Sequence, residues 1–229
     1  MVIGHGLVAS GFKAYHNNDR CLIFASGVSN SSNPDPDSFL REARLLQQMI
    51  DAHKDKIFVY FGTCSIYDHS MQHSTYVMHK LTMETMIQEQ HDDYHIFRIS
   101  NLVGKINNPN TVLNFFIRHI QSGSFFQLWK NAYRNIIDLD DAVAVCNYII
   151  KQQLCKNEIV NVANPVNYTV LQIVEAIEAF TQKKGNYELV NKGGNPIIDT
   201  NIVQNFFDAL NIHFDDSYLS RMFRKYFQS

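Results

Sequence analysis

Short apolar runs recur along this chain with longer amphipathic stretches between them, and that alternation predicts an α/β fold built on a mostly parallel sheet. The strand-like runs are Met1 to Ile3, Cys21 to Phe24, Ile57 to Phe61, His95 to Ile99 and Ile159 to Val162. Between them, apolar residues fall three and four apart, as in Phe39, Ala43, Leu46 and Ile50 and again in Val143, Tyr148 and Ile149, which is the helical period. Asp37 or Ser38 is placed to cap the first of these helices. Asn30 to Asp37, with two prolines and several serines, reads as an exposed loop. Beyond about Asn164 the texture changes to a helix over Thr169 to Thr181, a Lys/Gly/Asn stretch and an aromatic-rich tail from Phe206 to Phe227. The expected organisation is a core over residues 1–163 and a small lobe over 164–229, with parts of 104–135 contributing to that lobe.

At 229 residues and 45% hydrophobic, the chain can bury a full core without staples. A formal charge of -2 with pI near 6.5 argues against nucleic acid, because neutralising a phosphate backbone needs clustered cationic excess. Arg221, Arg224 and Lys225 read as a solvated helix face. Cys21, Cys64, Cys146 and Cys155 lack paired spacing and are expected to be reduced thiols. Met1-Val2-Ile3-Gly4 carries no charged leader, and no apolar run reaches the ~18 residues of a membrane span. A cytoplasmic protein is the expectation.

Two motifs carry chemistry. Gly4-His5-Gly6-Leu7-Val8-Ala9 follows the first strand and opens a helical segment, so its backbone amides can approach a diphosphate. Farther on, Ile57 to Phe61 leads into Gly62-Thr63-Cys64-Ser65-Ile66-Tyr67, and Tyr76 follows with Lys80 one helical turn later. Positions four apart share a helix face, and an ammonium beside a phenol favours the phenolate, so Lys80 is expected to lower the pKa of Tyr76. Thr63 can hold a carbonyl or hydroxyl oxygen while Tyr76 exchanges its proton. His69 and His73 are spaced for one helical face but lack further ligands, so no metal site is expected. Asp138, Asp140 and Asp141 fit the mouth of the following helix, where carboxylates stabilise free amides, better than a cation site.

Taken in order, these segments resemble the extended short-chain dehydrogenase/reductase family, in its NAD-dependent epimerase/dehydratase branch that modifies sugar nucleotides. The resemblance runs through Gly4-x-Gly6-x-x-Ala9, Phe24-Ala25-Ser26-Gly27-Val28, the Gly62 to Tyr67 run and Tyr76-x-x-x-Lys80. It continues through Arg98-Ile99-Ser100-Asn101-Leu102-Val103-Gly104, Arg134 to Asp141 and Asn161-Val162-Ala163. It implies a Rossmann-like doubly wound sheet with a small C-terminal α+β substrate lobe. Thr63, Tyr76 and Lys80 become the catalytic set. Gly4, Gly6, Leu7, Val8, Ala9, Ala25, Ser26, Gly27, Ser100 and Asn101 become cofactor-binding residues for NAD or NADP. Cys64, Ser65, Asn101 and Arg134 would face the substrate, a sugar nucleotide.

Departures from the family narrow the reading. Only one helix fits between the glycine loop and Phe24, where relatives insert two further strands and a helix, so the sheet is expected to lack the usual second and third strands. That missing part normally reads the adenosine ribose, and Asp19 and Arg20 are the nearest candidates here. Cys64 and Ser65 stand where 4,6-dehydratases carry an acid pair, which disfavours dehydration. Lys105-Ile106-Asn107 stands where GDP-fucose synthase, which also uses a cysteine near Cys64, places a histidine for a second epimerisation.

The resemblance thus implies an NAD(P)-dependent epimerase or 4-ketoreductase of polysaccharide biosynthesis. The alternative is a catalytically silent nucleotide-sugar or dinucleotide binding module. Apolar surface on the Phe39 to Ile50 helix and on the Tyr76 helix, with Met78, Met83 and Met86, predicts a homodimer.

Overall fold

The computed structural model describes residues 1–29, 31, 35–105 and 111–227. Asn30 and residues 32–34 of the expected loop, and Ile106 and Asn107, lie outside the described residues. Five parallel strands form the main sheet in the order β1-β2-β3-β4-β9: β1 (Val2–Ile3), β2 (Cys21–Phe24), β3 (Ile57–Thr63), β4 (Tyr94–Ile99) and β9 (Glu158–Val162). These are the five apolar runs of the sequence. Their side chains alternate between two cores, as the two-residue period of a strand requires. Cys21, Ile23, Val59, Phe61 and Phe97 enter one, and Leu22, Phe24, Phe58, Tyr60 and Ile96 the other. Each such Leu, Ile or Phe contributes about 1.5–3 kcal/mol relative to exposure.

The second core is closed by α2 (Pro36–Ala52) and α3 (Thr75–Gln90), through Leu46, Ile50, Met83 and Ile87. Asp35, not Asp37 or Ser38, caps α2: its carboxylate accepts from the Asp37 amide at 3.2 Å and from the Ser38 hydroxyl at 2.7 Å. Pro36 explains the shift, because its missing N–H suits the first helical position. The first core is covered by α1 (Leu7–Gly11), α5 (Leu139–Gln152) and α7 (Asn201–Ala209). Successive strands step the same way across the sheet while α1 lies on the face opposite α2 and α3. The β1-α1-β2 connection is therefore opposite in hand to the two that follow, against a preference held in about 98% of such crossovers. β1 stands at the sheet edge, paired directly to β2.

A third core binds α4 (Val112–Ser122), α6 (Val170–Thr181) and α8 (Tyr218–Phe227) with β6 (Phe126–Trp129). Around it run β5 (Asn101–Val103) beside β8 (Ile136–Asp138), β7 (Tyr133–Arg134) beside β10 (Tyr168–Thr169), and β11 (Tyr187–Val190) parallel to β6. The tail does not enter this lobe as one piece, since Val203 and Phe207 of α7 pack on the main sheet.

The basic face of α8 is engaged rather than merely solvated. Lys225 donates to Asp138 at 2.8 Å and Asp140 at 2.7 Å, and Arg221 pairs with Asp215 at 2.7 Å. Asp138 also caps α5, accepting from the Asp140 amide at 2.7 Å.

Gly4 fixes how β1 meets β2. Its φ is +121°, and a Cβ there would stand 2.3 Å from the Ala25 carbonyl oxygen. Gly4→Ala is expected to lower stability by more than the ~1–3 kcal/mol of backbone strain alone, read as a fall in thermal midpoint. An unchanged midpoint would show that β1 tolerates a different path.

Candidate active site

The loops after β1, β2, β3 and β4 all leave the C-terminal edge of the sheet, where ligands of open α/β sheets bind. They enclose a cleft of about 740 Å³. Its walls take Gly6, Leu7 and Val8 from the first loop, Ala25 and Gly27 from the second, Thr63, Cys64 and Ser65 from the third, and Ser100 and Asn101 from the fourth. Tyr76 and Lys80 of α3 and Arg134 of β7 complete the set. Gly4, Ala9 and Ser26 are not on the lining: Gly4 serves the turn, and Ala9 is buried in the core. Asp19 and Arg20 precede β2, at the opposite edge of the sheet, so neither can read a ribose in this cleft.

Ser74 caps α3 through the Val77 amide at 3.2 Å, which sets Tyr76 in the first turn, facing the end of β3. The Thr63 side chain faces the Tyr76 hydroxyl and acts on it in the direction that favours ionisation. Thr63 Oγ1 also accepts from the Ser65 amide at 3.1 Å and donates to Ser65 Oγ at 3.0 Å. Burial raises Tyr76 to about 12, the Thr63 side chain opposes the rise, and the Glu42 carboxylate adds to it. Lys80 does not lower it.

The reason lies in what Lys80 touches. Its Nζ, on a side chain almost wholly buried, donates to Glu42 Oε1 at 3.0 Å and to the Tyr60 hydroxyl at 3.1 Å. Among the described residues Tyr76 and Lys80 share no hydrogen bond, so the expected phenol–ammonium contact is replaced by an ion pair. Glu42, 0% exposed, further accepts from Tyr60 at 2.8 Å and the Val28 amide at 2.6 Å, and lies 3.0 Å from His79 Nε2. Burial pushes the Glu42 carboxyl up, but His79, Lys80, Val28 and Tyr60 together outweigh that and hold it at about 2. Lys80 is drawn below its ordinary value by burial, with Glu42 resisting.

A second buried pair braces the same helix: Arg98 Nε reaches both oxygens of Glu84 at 3.1 Å. Cys64 donates to the Arg98 carbonyl at 3.2 Å, and burial raises its thiol to about 12, so it lines the cleft as a poor nucleophile. Asn101 donates to the Asn135 carbonyl at 2.7 Å. Arg134 lies 4.0 Å from Asp68 in a partly solvated pair. The buried Ser100 Oγ has no hydrogen-bond partner among the described residues. His69 and His73 are exposed, and no cluster of three metal-ligating side chains occurs among the described residues.

Sequence reasoning missed Glu42, Tyr60 and His79. A signal existed: Glu42 is four residues before Leu46 and eight before Ile50, so it occupies the buried stripe of α2.

The profile of the NAD dependent epimerase/dehydratase family matches residues 21–163, more than half of the chain. No curated protein is close enough in sequence to count as a relative. Solved structures are similar in fold. A dTDP-4-dehydrorhamnose reductase from Bacillus anthracis in complex with NADP superposes with a TM-score of 0.72 at 15% identity, over 96% of this chain and 84% of that one. A UDP-glucuronic acid 4-epimerase from Bacillus cereus, with UDP-glucuronic acid and NAD, gives 0.68 at 16% identity over 96% and 76%. A dTDP-glucose 4,6-dehydratase from Bacillus anthracis with NAD gives 0.68 at 15% over 97% and 79%.

Proposed function

Because the chain belongs to the NAD dependent epimerase/dehydratase family, we propose that it moves hydride between NAD or NADP and a carbon of a sugar nucleotide, with ketone reduction favoured over epimerisation at that carbon. The observation that carries this reading is Tyr76, held as a phenol by its burial on the wall of a cleft that also presents Lys80 and the Gly6 loop. A protonated Tyr76 is the acid a carbonyl reduction needs.

The residues present fit a dinucleotide. A Cβ at Gly6 would meet nothing within 4 Å, leaving its backbone open to a close approach. Ser100 Oγ, unpartnered among the described residues, stands in the same wall. Gly6, Leu7, Val8, Ala25 and Gly27 would hold the cofactor, which when bound supplies the hydride. Ser65 Oγ receives its hydrogen bond from Thr63, so its own hydrogen is free to orient a substrate oxygen. Tyr76 then gives its proton to that oxygen. Lys80 has three hydrogens and two acceptors among the described residues, leaving one donor for the cleft. Arg134 is suited to the substrate's diphosphate.

The five-residue α1 and the capture of Lys80 by Glu42 favour a second reading, a binding module without turnover. Calorimetric titration with NADH and NADPH, then with UDP and dTDP sugars, separates the two. Dinucleotide binding with consumption of reduced nicotinamide on adding a keto-sugar nucleotide supports the enzyme. Sugar-nucleotide binding without either dinucleotide rejects it.

The helices α2 and α3 pack side by side and leave Leu40 47% and Met78 52% exposed. A homodimer across this face is expected by sedimentation, with Leu40→Glu/Met78→Glu returning it to monomer. A monomeric parent at micromolar concentration would remove the dimer from the reading.

A further inference from the structure

We propose that Glu42 is a positioning residue that fixes Lys80 beneath the loop after β2, takes up its charge and so leaves Tyr76 a neutral proton donor. The inference rests on the reading of Tyr76 as the proton carrier and adds a residue from a helix that contributes nothing else to the cleft chemistry.

Three observations carry it. Glu42 lies at the centre of a closed set of donors drawn from three elements: Lys80 and His79 of α3, Tyr60 of β3 and the Val28 amide of the loop after β2. A carboxylate so surrounded stays ionised, and a buried Lys80 ammonium pairs with it rather than with a phenol. The loop is built around the pair, since a Cβ on Gly27 would stand 2.4 Å from Lys80 Nζ and 2.9 Å from Glu42 Oε1. Tyr60 bridges the two, accepting from Lys80 and donating to Glu42. A carboxylate used only to brace the fold would need none of this contact with the loop that lines the cleft.

Of the ionisable groups, Glu42 from α2 and Tyr60 from β3 act on Tyr76, and around them stand Lys80, His79 and Glu84 of α3, the last neutralised by Arg98 of β4. Asp68, from the turn after β3, pairs with Arg134. With Glu42 neutral, Lys80 is the one unbalanced charge in this group, and the phenolate of Tyr76 becomes its counterion. The ionisation of Tyr76 should then fall by about one to three pH units, the range for an acid gaining an opposite charge nearby.

The test is a pH titration of the ligand-free protein carrying carbon-13 at the tyrosine Cζ, with Tyr76→Phe and Tyr60→Phe assigning the two resonances. Expected is a Tyr76 that stays phenolic throughout the folded range of the parent, titrates lower in Glu42→Gln, and returns toward the parent in Glu42→Asp, which restores the charge. An unmoved Tyr76 in Glu42→Gln, ionisation of Tyr60 in its place, or equal shifts in Gln and Asp variants would overturn the proposal. If Glu42→Gln does not fold, Gly27→Ala separates the pair with both charges kept. It should shift Tyr76 in the same direction, and a stationary resonance there is equally fatal. Because neither cofactor nor turnover enters this titration, its failure is distinct from a failure of the enzyme reading, which the dinucleotide titration decides.

Discussion

Tyr76→Phe should lower turnover by about 10²- to 10⁴-fold, the range for loss of a positioned proton donor, while dinucleotide affinity stays at the parent value. The substitution keeps the ring and removes only the hydroxyl, so the fold should change little. Fold and cofactor affinity are thereby separated from chemistry. The measurement is initial rate with a keto-sugar nucleotide, paired with calorimetry on the same sample. Retained turnover would move the proton to the Thr63–Ser65 pair, whose hydroxyls are 3.0 Å apart, and would remove Tyr76 from its role. A fall in affinity equal to the fall in rate would instead mean that the hydroxyl binds ligand in ground and transition states alike.

How far the sequence could be read follows from the range of the forces involved. The strands were legible because burial on two faces writes an apolar run into the letters, and the Tyr76 turn because its neighbours Thr63 and Ser65 are close in sequence. Partner choice was not legible. Lys80 has a tyrosine one turn before it and a glutamate one turn after it, yet its ammonium bonds Glu42, 38 residues away. That preference is decided by which helix lies across α3, and no local pattern records it. Likewise Lys225 reads as a surface cation until α8 docks on the Asp138 cap, 87 residues away. The cap at Asp35 was missed by two or three positions because Pro36 was counted with the loop instead of as the first residue of the helix. The short α1, with its reversed crossover, was anticipated only as a lack of room between β1 and β2.

The largest stability effect is expected at the ion pair, and its sign pattern is specific. Glu42→Gln leaves an ammonium in a site only 3% exposed and should cost about 3–5 kcal/mol, as breaking one partner of a buried pair does. Lys80→Met should cost less, because Glu42 keeps His79, Tyr60 and the Val28 amide as donors. The double variant, neutral throughout, should recover most of the loss, since burial draws Lys80 down even beside Glu42 and the intact pair is close to break-even. Urea unfolding across pH checks this. Glu42 is depressed from its ordinary 4.5 to about 2, so its contribution is complete above 4.5 and is lost as pH falls toward 2. That acid loss should vanish in the double variant. In Glu42→Gln the unpaired Lys80 binds its proton still less well folded than unfolded, so this variant should gain more stability than the parent as pH rises toward 10.5. Additive losses, or a double variant as weak as the worse single, would mean that Glu42 and Lys80 act on the fold independently and that the pair does not hold the cleft together.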